Sequence, residues 1–184
     1  MTVDILGYKG KRVVVMGCFS GTGEACARTL VDLGAEVHGA DIKRSPVNLA
    51  SFTEVDLKNP DSIAAGITSI GGKVDALFNV SGLPQTFPGE DVVTVNFLGL
   101  RAWTEGWLSH VNPGAAIVSV SSLAGMGYLG RQAIVREFMA ITDFVDARQW
   151  YLDHSEEVGD PYTLSKEAIN TWTQISATEL IGRD

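Results

Sequence analysis

The chain predicts an α/β fold, a doubly wound parallel sheet in three layers, and three observations carry that prediction. Short strand-like runs alternate with stretches whose apolar residues recur at helical spacing. A glycine-rich turn directly follows the first of those runs. Asp41, Asp56, Ser81, Gly82 and Ser122 all fall at the carboxyl ends of the predicted strands, where sheets of this kind bind ligands.

Val13-Val14-Val15-Met16 is a β-branched run suited to a strand buried on both faces. Gly17-Cys18-Phe19-Ser20-Gly21-Thr22-Gly23 follows, then a helical pattern from Glu24 to Val31 that Gly34 ends. Strand, glycine loop and helix together aim free backbone N–H groups and a positive helix end at a pyrophosphate. The spacing is G-x-x-x-G-x-G, which differs from the general dinucleotide fingerprint. Ala35–Asp41 reads as the second strand, and Asp41 stands where a carboxylate accepts both hydroxyls of an adenosine ribose and repels a 2′-phosphate. Lys43 and Arg44 follow it and keep a phosphorylated cofactor in play.

Phe52–Asp56 is a third strand, and Asn59-Pro60-Asp61 opens a helix to about Ile70 that Gly71-Gly72 stops. Val74–Val80 is a fourth strand, and a helix from about Glu90 to His110 carries Val92, Val93, Asn96, Leu100, Trp103 and Trp107. The two tryptophans, four residues apart, read as helix packing. Ala115–Val120 is a fifth strand that ends in Ser121-Ser122. Around Tyr162-Thr163-Leu164-Ser165-Lys166, the residues Ala168, Ile169, Trp172, Ile175 and Leu180 recur at helical spacing, so Tyr162 and Lys166 share one helix face. A lysine ammonium held near a phenol favours the phenolate, and such a tyrosine exchanges a proton with an alcohol or ketone oxygen.

At 184 residues the chain fits one domain, 1–184, with 45% apolar and 20% charged residues, as in ordinary globular proteins. A formal charge of −8 argues against nucleic acid and anionic membranes as partners, since both recruit basic patches. No apolar run approaches the roughly 20 residues of a membrane span, and Met1 to Leu6 lacks the basic region of a signal peptide. Cys18 and Cys26 are too few for a disulfide framework or a zinc ligand set, so buried thiols in a reducing cytoplasm are expected. His38, His110 and His154 have no partner at ligand spacing and read as surface or core residues.

In combination these residues resemble the short-chain dehydrogenase/reductase family, in its classical branch. Gly17, Gly21 and Gly23 match its glycine pattern, Asp56 its adenine-contacting aspartate, and Asn79-Val80-Ser81-Gly82 its Asn-Asn-Ala-Gly segment with two substitutions. Asn96, Ser122, Tyr162 and Lys166 match its catalytic tetrad in chain order, and Leu123-Ala124-Gly125 picks Ser122 over Ser121. The resemblance implies a Rossmann-type sheet with NAD bound at Gly17, Ser20, Gly21, Thr22, Gly23, Asp41, Ile42, Asp56, Leu57, Asn79, Ser81, Gly82, Tyr162 and Lys166. It also implies a small-molecule alcohol or ketone substrate and a homo-oligomer, dimer or tetramer. Tyr162 would be the general acid or base, Lys166 would tune it and hold the nicotinamide ribose, and Ser122 would hydrogen-bond the substrate oxygen. Asn96 would bind a water that links Lys166 to solvent, its plainer role being a polar residue that bends its own helix. An NADP-linked carbonyl reductase and a non-catalytic dinucleotide-binding sensor or scaffold are the other readings these residues leave open.

Two departures from the family pattern matter. Ser122 and Tyr162 lie 40 residues apart, farther than the family usually places them, so residues 126–159 form an insertion. It resembles the insertion of the 3α-hydroxysteroid dehydrogenase/carbonyl reductase and coniferyl-alcohol dehydrogenase-like members, which points to a steroid-like, aromatic or other bulky apolar substrate. Within it, Arg131–Ala140 and a stretch capped by Thr142 through Tyr151 predict two amphipathic helices. These would bury their apolar faces either as a lid, with Met126 and Tyr128 touching substrate, or as a subunit surface that changes the usual pairing of copies. A solvated hairpin is the plain alternative. Secondly, members of the family are longer, so the sequence is expected to be the ordered part of a longer protein that supplies further strands.

Overall fold

Val13, Val14 and Val15 are fully buried at the centre of a five-stranded parallel sheet. Removing a side chain of that size from water contributes about 1.5–3 kcal/mol. The computed structural model describes residues 5–181. The first four residues, on which part of the reading of the chain start rests, and the last three lie outside the described residues. The chain divides into two compact units, one running up to Ser81 and including Trp103–Val120, the other formed by Gly82–Ala102 and the residues from Ser121 on.

The first unit holds the sheet. Its strands are β1 (Arg12–Met16), β2 (Glu36–Asp41), β3 (Ser51–Glu54), β4 (Val74–Asn79) and β5 (Val111–Ser119), in the order β3-β2-β1-β4-β5. The order reverses at β1, as in a doubly wound sheet, and the register sets Met16 beside both Ala40 and Asn79. Helix α1 (Gly21–Asp32) buries Ala27 and Leu30 in a cluster with Val13, Val15, Val37 and Ala76. Helix α2 (Pro60–Ile70) starts as its sequence predicts: Asn59 Oδ1 accepts the Asp61 and Ser62 N–H groups at 2.9 and 3.4 Å.

In this unit three boundaries differ from the expected ones by two residues or more. α1 begins at Gly21, inside the glycine motif, before any apolar periodicity appears. β3 stops at Glu54, because Asp56 turns the chain: its N–H donates to Ser62 Oγ at 3.0 Å, and its Oδ1 accepts the Lys58 N–H at 2.9 Å. β5 begins at Val111, its pairing with β4 passing through an irregularity at Val74/Ala76 that accommodates Pro113 and Gly114.

The second unit is helical. After α3 (Gly89–Val93) the helix widens into a π segment over Thr94–Gly99 and returns to α geometry in α4 (Leu100–Trp107), whose later residues belong to the first unit. A 3₁₀ turn, Leu108–His110, closes that stretch, so the single helix expected over residues 90–110 is four pieces. Trp103 and Trp107 are fully buried and meet edge to face at 5.8 Å, as packing residues do.

A nine-residue 3₁₀ segment, Leu123–Arg131, leads into α5 (Gln132–Ala140), α6 (Phe144–Asp153), α7 (Ser155–Val158) and α8 (Pro161–Leu180). The cap of α6 is Asp143, not Thr142: Asp143 Oδ1 accepts the Val145 and Asp146 N–H groups at 2.8 and 2.9 Å. A carboxylate directly before the first turn satisfies those donors and complements the helix dipole. The Thr142 carbonyl, with those of Met139 and Ile141, accepts from the buried Arg101 guanidinium instead.

The insertion is therefore no solvated hairpin. Val135, Phe138, Ala147, Tyr151 and Val158 share one buried cluster with Val93, Phe97 and Leu98 around Asn96, and with Leu164, Ala168 and Ile169 of α8. Phe138 sits between Phe97 and Trp150, at 5.4 and 5.3 Å. Much of the apolar face expected to serve as a lid or a subunit surface is packed within its own unit, while Met126 and Val145 are each 68% exposed.

Candidate functional site

The sheet-bearing unit has a glycine loop at the reversal point between β1 and β4. Gly17 follows β1 with φ +92°, and a Cβ there would lie 2.4 Å from the Ser81 nitrogen. A Cβ on Gly23 would come within 1.7 Å of the Gly17 carbonyl oxygen, so the first turn of α1 reaches the strand exit only as glycine. Ser20 is the N-cap of α1, but its side chain makes no capping bond. The first-turn N–H groups at Gly21, Thr22 and Gly23 thus receive no side-chain cap from Ser20.

Asp41 fastens this loop to the end of β2. Its Oδ2 accepts the Phe19 N–H at 2.9 Å and its Oδ1 the Lys43 N–H at 3.1 Å. The Lys43 ammonium lies 5.4 Å from the Phe19 ring centroid. Beneath the loop, burial and then the Asp41 charge push the Cys18 thiol up to about 11, and burial raises Cys26, so both cysteines stay protonated.

The remaining predicted contacts of this unit differ in character. Ile42 is exposed and Leu57 buried, while Asp56 is engaged in the turn described above. Asn79 is fully buried, and its Nδ2 donates to Thr104 Oγ1 at 2.9 Å and to Ser119 Oγ at 3.1 Å, which braces β4 against β5. His38 is a structural residue of β2: its Nδ1 meets Ser51 Oγ at 2.7 Å, and burial followed by the Arg12 charge holds its pKa down. Among the described residues no cluster of side chains is arranged to hold a metal ion.

The helical unit holds α8. Asp160 Oδ2 accepts from the Thr163 N–H at 2.8 Å and its hydroxyl at 2.6 Å, and Pro161 occupies the first helical position. Tyr162 therefore lies in the first turn, with Lys166 one turn later, as their spacing predicts. Lys166 is 3% exposed, its Nζ lies 5.5 Å from the Tyr162 ring centroid, and burial lowers its ammonium from 10.5 to about 8.

A Cβ built on Gly82 would stand 3.5 Å from Asn96 Oδ1 and 3.7 Å from Lys166 Nζ, so these three residues meet. Asn96 is fully buried in the π segment. Its Oδ1 accepts the Leu83 N–H at 2.6 Å, while its Nδ2 donates to the Leu83 carbonyl at 3.0 Å and to Ser165 Oγ at 3.4 Å. The helix does depart from α geometry where this polar side chain sits.

The two serines divide their work. Ser121 Oγ donates to the Lys166 carbonyl at 3.3 Å, whereas Ser122 Oγ accepts the Ala124 N–H at 3.2 Å and keeps its own hydrogen to donate. In the 3₁₀ segment that follows, residues three apart eclipse. Gly125, Tyr128 and Arg131 form the column that meets α8, at Asn170, Gln174 and Glu167. Leu123, Met126 and Leu129 form an outward column, 84%, 68% and 70% exposed.

Tyr128, expected at substrate beside Met126, thus has its hydroxyl bound by Gln174 Nε2 at 2.9 Å. Sequence reasoning passed over Glu167 and Arg131. The signal was present: Glu167 shares helical spacing with the buried Leu164, Ala168 and Thr171, and an acid on a buried face requires a partner.

The family model for short chain dehydrogenases matches residues 11–134, and the chain belongs to that family. It is 35% identical over 169 residues to coniferyl-alcohol dehydrogenase of Pseudomonas sp. (strain HR199 / DSM 7063), over 92% of this chain and 66% of that protein. The chain thus spans slightly less than two thirds of that relative's length. Short chain dehydrogenase ausX of Penicillium brasilianum is 35% identical over 91 residues, 45% of this chain and 35% of that protein.

Among solved structures, a short chain dehydrogenase/reductase from Burkholderia phymatum in complex with NAD aligns with a TM-score of 0.66 at 20% identity, covering 96% of this chain and 62% of that one. The Pseudomonas aeruginosa RhlG/NADP active-site complex aligns with a TM-score of 0.68 at 17% identity, covering 98% and 71%. These two are likenesses of fold. No helix among the described residues is long and apolar enough to cross a membrane.

Proposed function

We propose that the protein is an NAD(H)-dependent oxidoreductase that interconverts an alcohol and a ketone or aldehyde, with a bulky apolar or aromatic substrate. The observation that carries this reading is the buried Lys166 ammonium one helical turn from Tyr162, with Asn96 and Gly82 against it. The loop at Gly17–Gly23 suits a dinucleotide, because its uncapped helix start and Cβ-intolerant glycines leave N–H groups and room for a pyrophosphate. A bound nicotinamide would supply the two-electron donor or acceptor.

The chain's own residues move the proton. Tyr162 takes it from an alcohol hydroxyl or returns it to a carbonyl oxygen, and Ser122 donates its free hydrogen to the same oxygen. Lys166 sits low enough in its titration to pass a proton near neutral to mildly alkaline pH, and Asn96, which meets it beside Gly82, would bind the water that relays it. A non-catalytic role fits poorly with a lysine kept buried beside a tyrosine at such cost.

Asp41 supports NAD over NADP: two of its lone pairs take loop N–H groups, and those remaining suit ribose hydroxyls and repel a phosphate. The Lys43 ammonium over Phe19 is the one observation that favours the NADP reading. Rates measured with each cofactor on a panel of secondary and aryl alcohols, coniferyl alcohol included, test both. NAD should be preferred, and Asp41→Ala should weaken NAD binding about tenfold and narrow that preference. A wild type that prefers NADP would overturn the assignment of Asp41.

A further inference from the structure

Glu167 is 1% exposed on α8, next in sequence to Lys166. Its Oε2 faces Arg131 Nη1 at 3.0 Å, held by charge rather than by an aligned hydrogen bond. A Cβ on Gly127 would reach within 3.0 Å of Glu167 Oε1, so the 3₁₀ backbone itself packs on this carboxylate. Arg131 also donates to the Val158 carbonyl at 2.5 Å. Burial pushes the Glu167 carboxyl up and the Arg131 guanidinium pulls it down.

Arg131 ends the segment that begins directly after Ser122. Nine residues is a long run for 3₁₀ geometry, whose own hydrogen bonds are poorly aligned, so its placement depends on what it lies against. That support is α8, in four polar contacts: Ser121 to the Lys166 carbonyl, Asn170 to the Gly125 carbonyl, Gln174 to the Tyr128 hydroxyl, and Arg131 to Glu167. Neutral contacts of this kind are exchangeable with water at small cost. A buried charge left without its partner is not, which makes an ion pair selective for one register even where it adds little net stability.

We propose that Arg131 and Glu167 are a positioning pair that fixes the register of residues 121–131 on α8, and through it the placement of Ser122 relative to Tyr162 and Lys166. Neither residue touches the reacting atoms; both act through Ser122. The inference rests on the dehydrogenase reading given above, and its test separates the two.

Glu167→Leu in the full chain removes the carboxylate without stranding a buried charge, because the Arg131 side chain is 31% exposed and can turn to water. The variant should unfold close to the wild-type midpoint, with the amides of residues 121–131 exchanging at least about tenfold faster and those of α5 unchanged. With NAD and the alcohol panel, its kcat should fall about 10- to 100-fold, as a displaced reacting group does, with KM for NAD unchanged. Glu167→Asp, which keeps the charge, should recover part of that loss. Unchanged exchange over 121–131 would overturn the pairing. So would a wild-type kcat in Glu167→Leu, or a loss of rate matched by equal losses of stability and NAD affinity. Exchange is read without turnover, so a wild type inactive on every alcohol would remove the dehydrogenase reading while the register is still decided.

Discussion

The two units hold their candidate site residues by different means. In the sheet-bearing unit, the glycine loop, besides its tie to the Asp41 carboxylate, is set main chain against main chain: the Gly17 N–H donates to the Ala40 carbonyl, the Val80 N–H to the Met16 carbonyl, and Gly23 lies on the Gly17 carbonyl. In the helical unit, side chains do the holding: Asn96 on Leu83, Ser121 on Lys166, Arg131 on Glu167. Main-chain contacts impose a steric rule that one residue type meets, so glycine is required and a methyl is enough to fail. Side-chain contacts across many residues impose a register, which fails by slipping rather than by collision.

Replacements in each unit can break or sharpen that contrast. The largest effect is expected for Tyr162→Phe, which loses one hydroxyl and no packing. Steady-state turnover should drop about 10²- to 10⁴-fold, with NAD binding and the unfolding midpoint near wild type. Turnover that survives would remove Tyr162 from the chemistry. Gly23→Ala comes next, since its Cβ would overlap the Gly17 carbonyl. Denaturant unfolding should show a loss of roughly 3 kcal/mol, and titration a loss of NAD binding. A variant as stable as wild type would mean that the loop yields and the steric rule is wrong.

The smallest effect concerns pH. Lys166 titrates at about 8 in the folded chain against an ordinary 10.5. Between those values the unfolded chain binds more protons, so this lysine makes stability rise with pH across the window, by at most about 1.4 kcal/mol per pH unit. Below pH 8 both states hold the proton and it adds no slope. The stability of the wild type relative to Lys166→Met should therefore rise from pH 8 to 10.5. Parallel profiles would show that Lys166 is more hydrated than its burial implies.

Legibility divides along the same line. The strands were readable from β-branched runs, the glycine loop from its place between a strand and a helix, and the Tyr162–Lys166 turn from helical spacing. Each depends on local chemistry that a sequence displays. The π segment was not readable, because Thr94–Gly99 carries an ordinary helical pattern and the widening accompanies the clamp of Asn96 on Leu83. The start of β5 was missed because Pro113 and Gly114 ordinarily end a strand, and only the partner strand makes room for them. Thr142 and Asp143 compete for one cap position, and a single residue of offset decides the matter. No element was expected between Ser122 and Arg131, where glycines at 125, 127 and 130 mask a three-residue repeat.

That repeat also governs how this stretch can vary in length. One residue gained or lost within 123–131 turns everything downstream by about 120°, which would carry Arg131 off α8 and bring Gly130 (for a gain) or Gln132 (for a loss) into its place. Three residues gained would restore every side chain to its column, about 6 Å further along the axis. The segment therefore has something like a reading frame. Its composition can drift along the outward column, while its length is constrained to multiples of three.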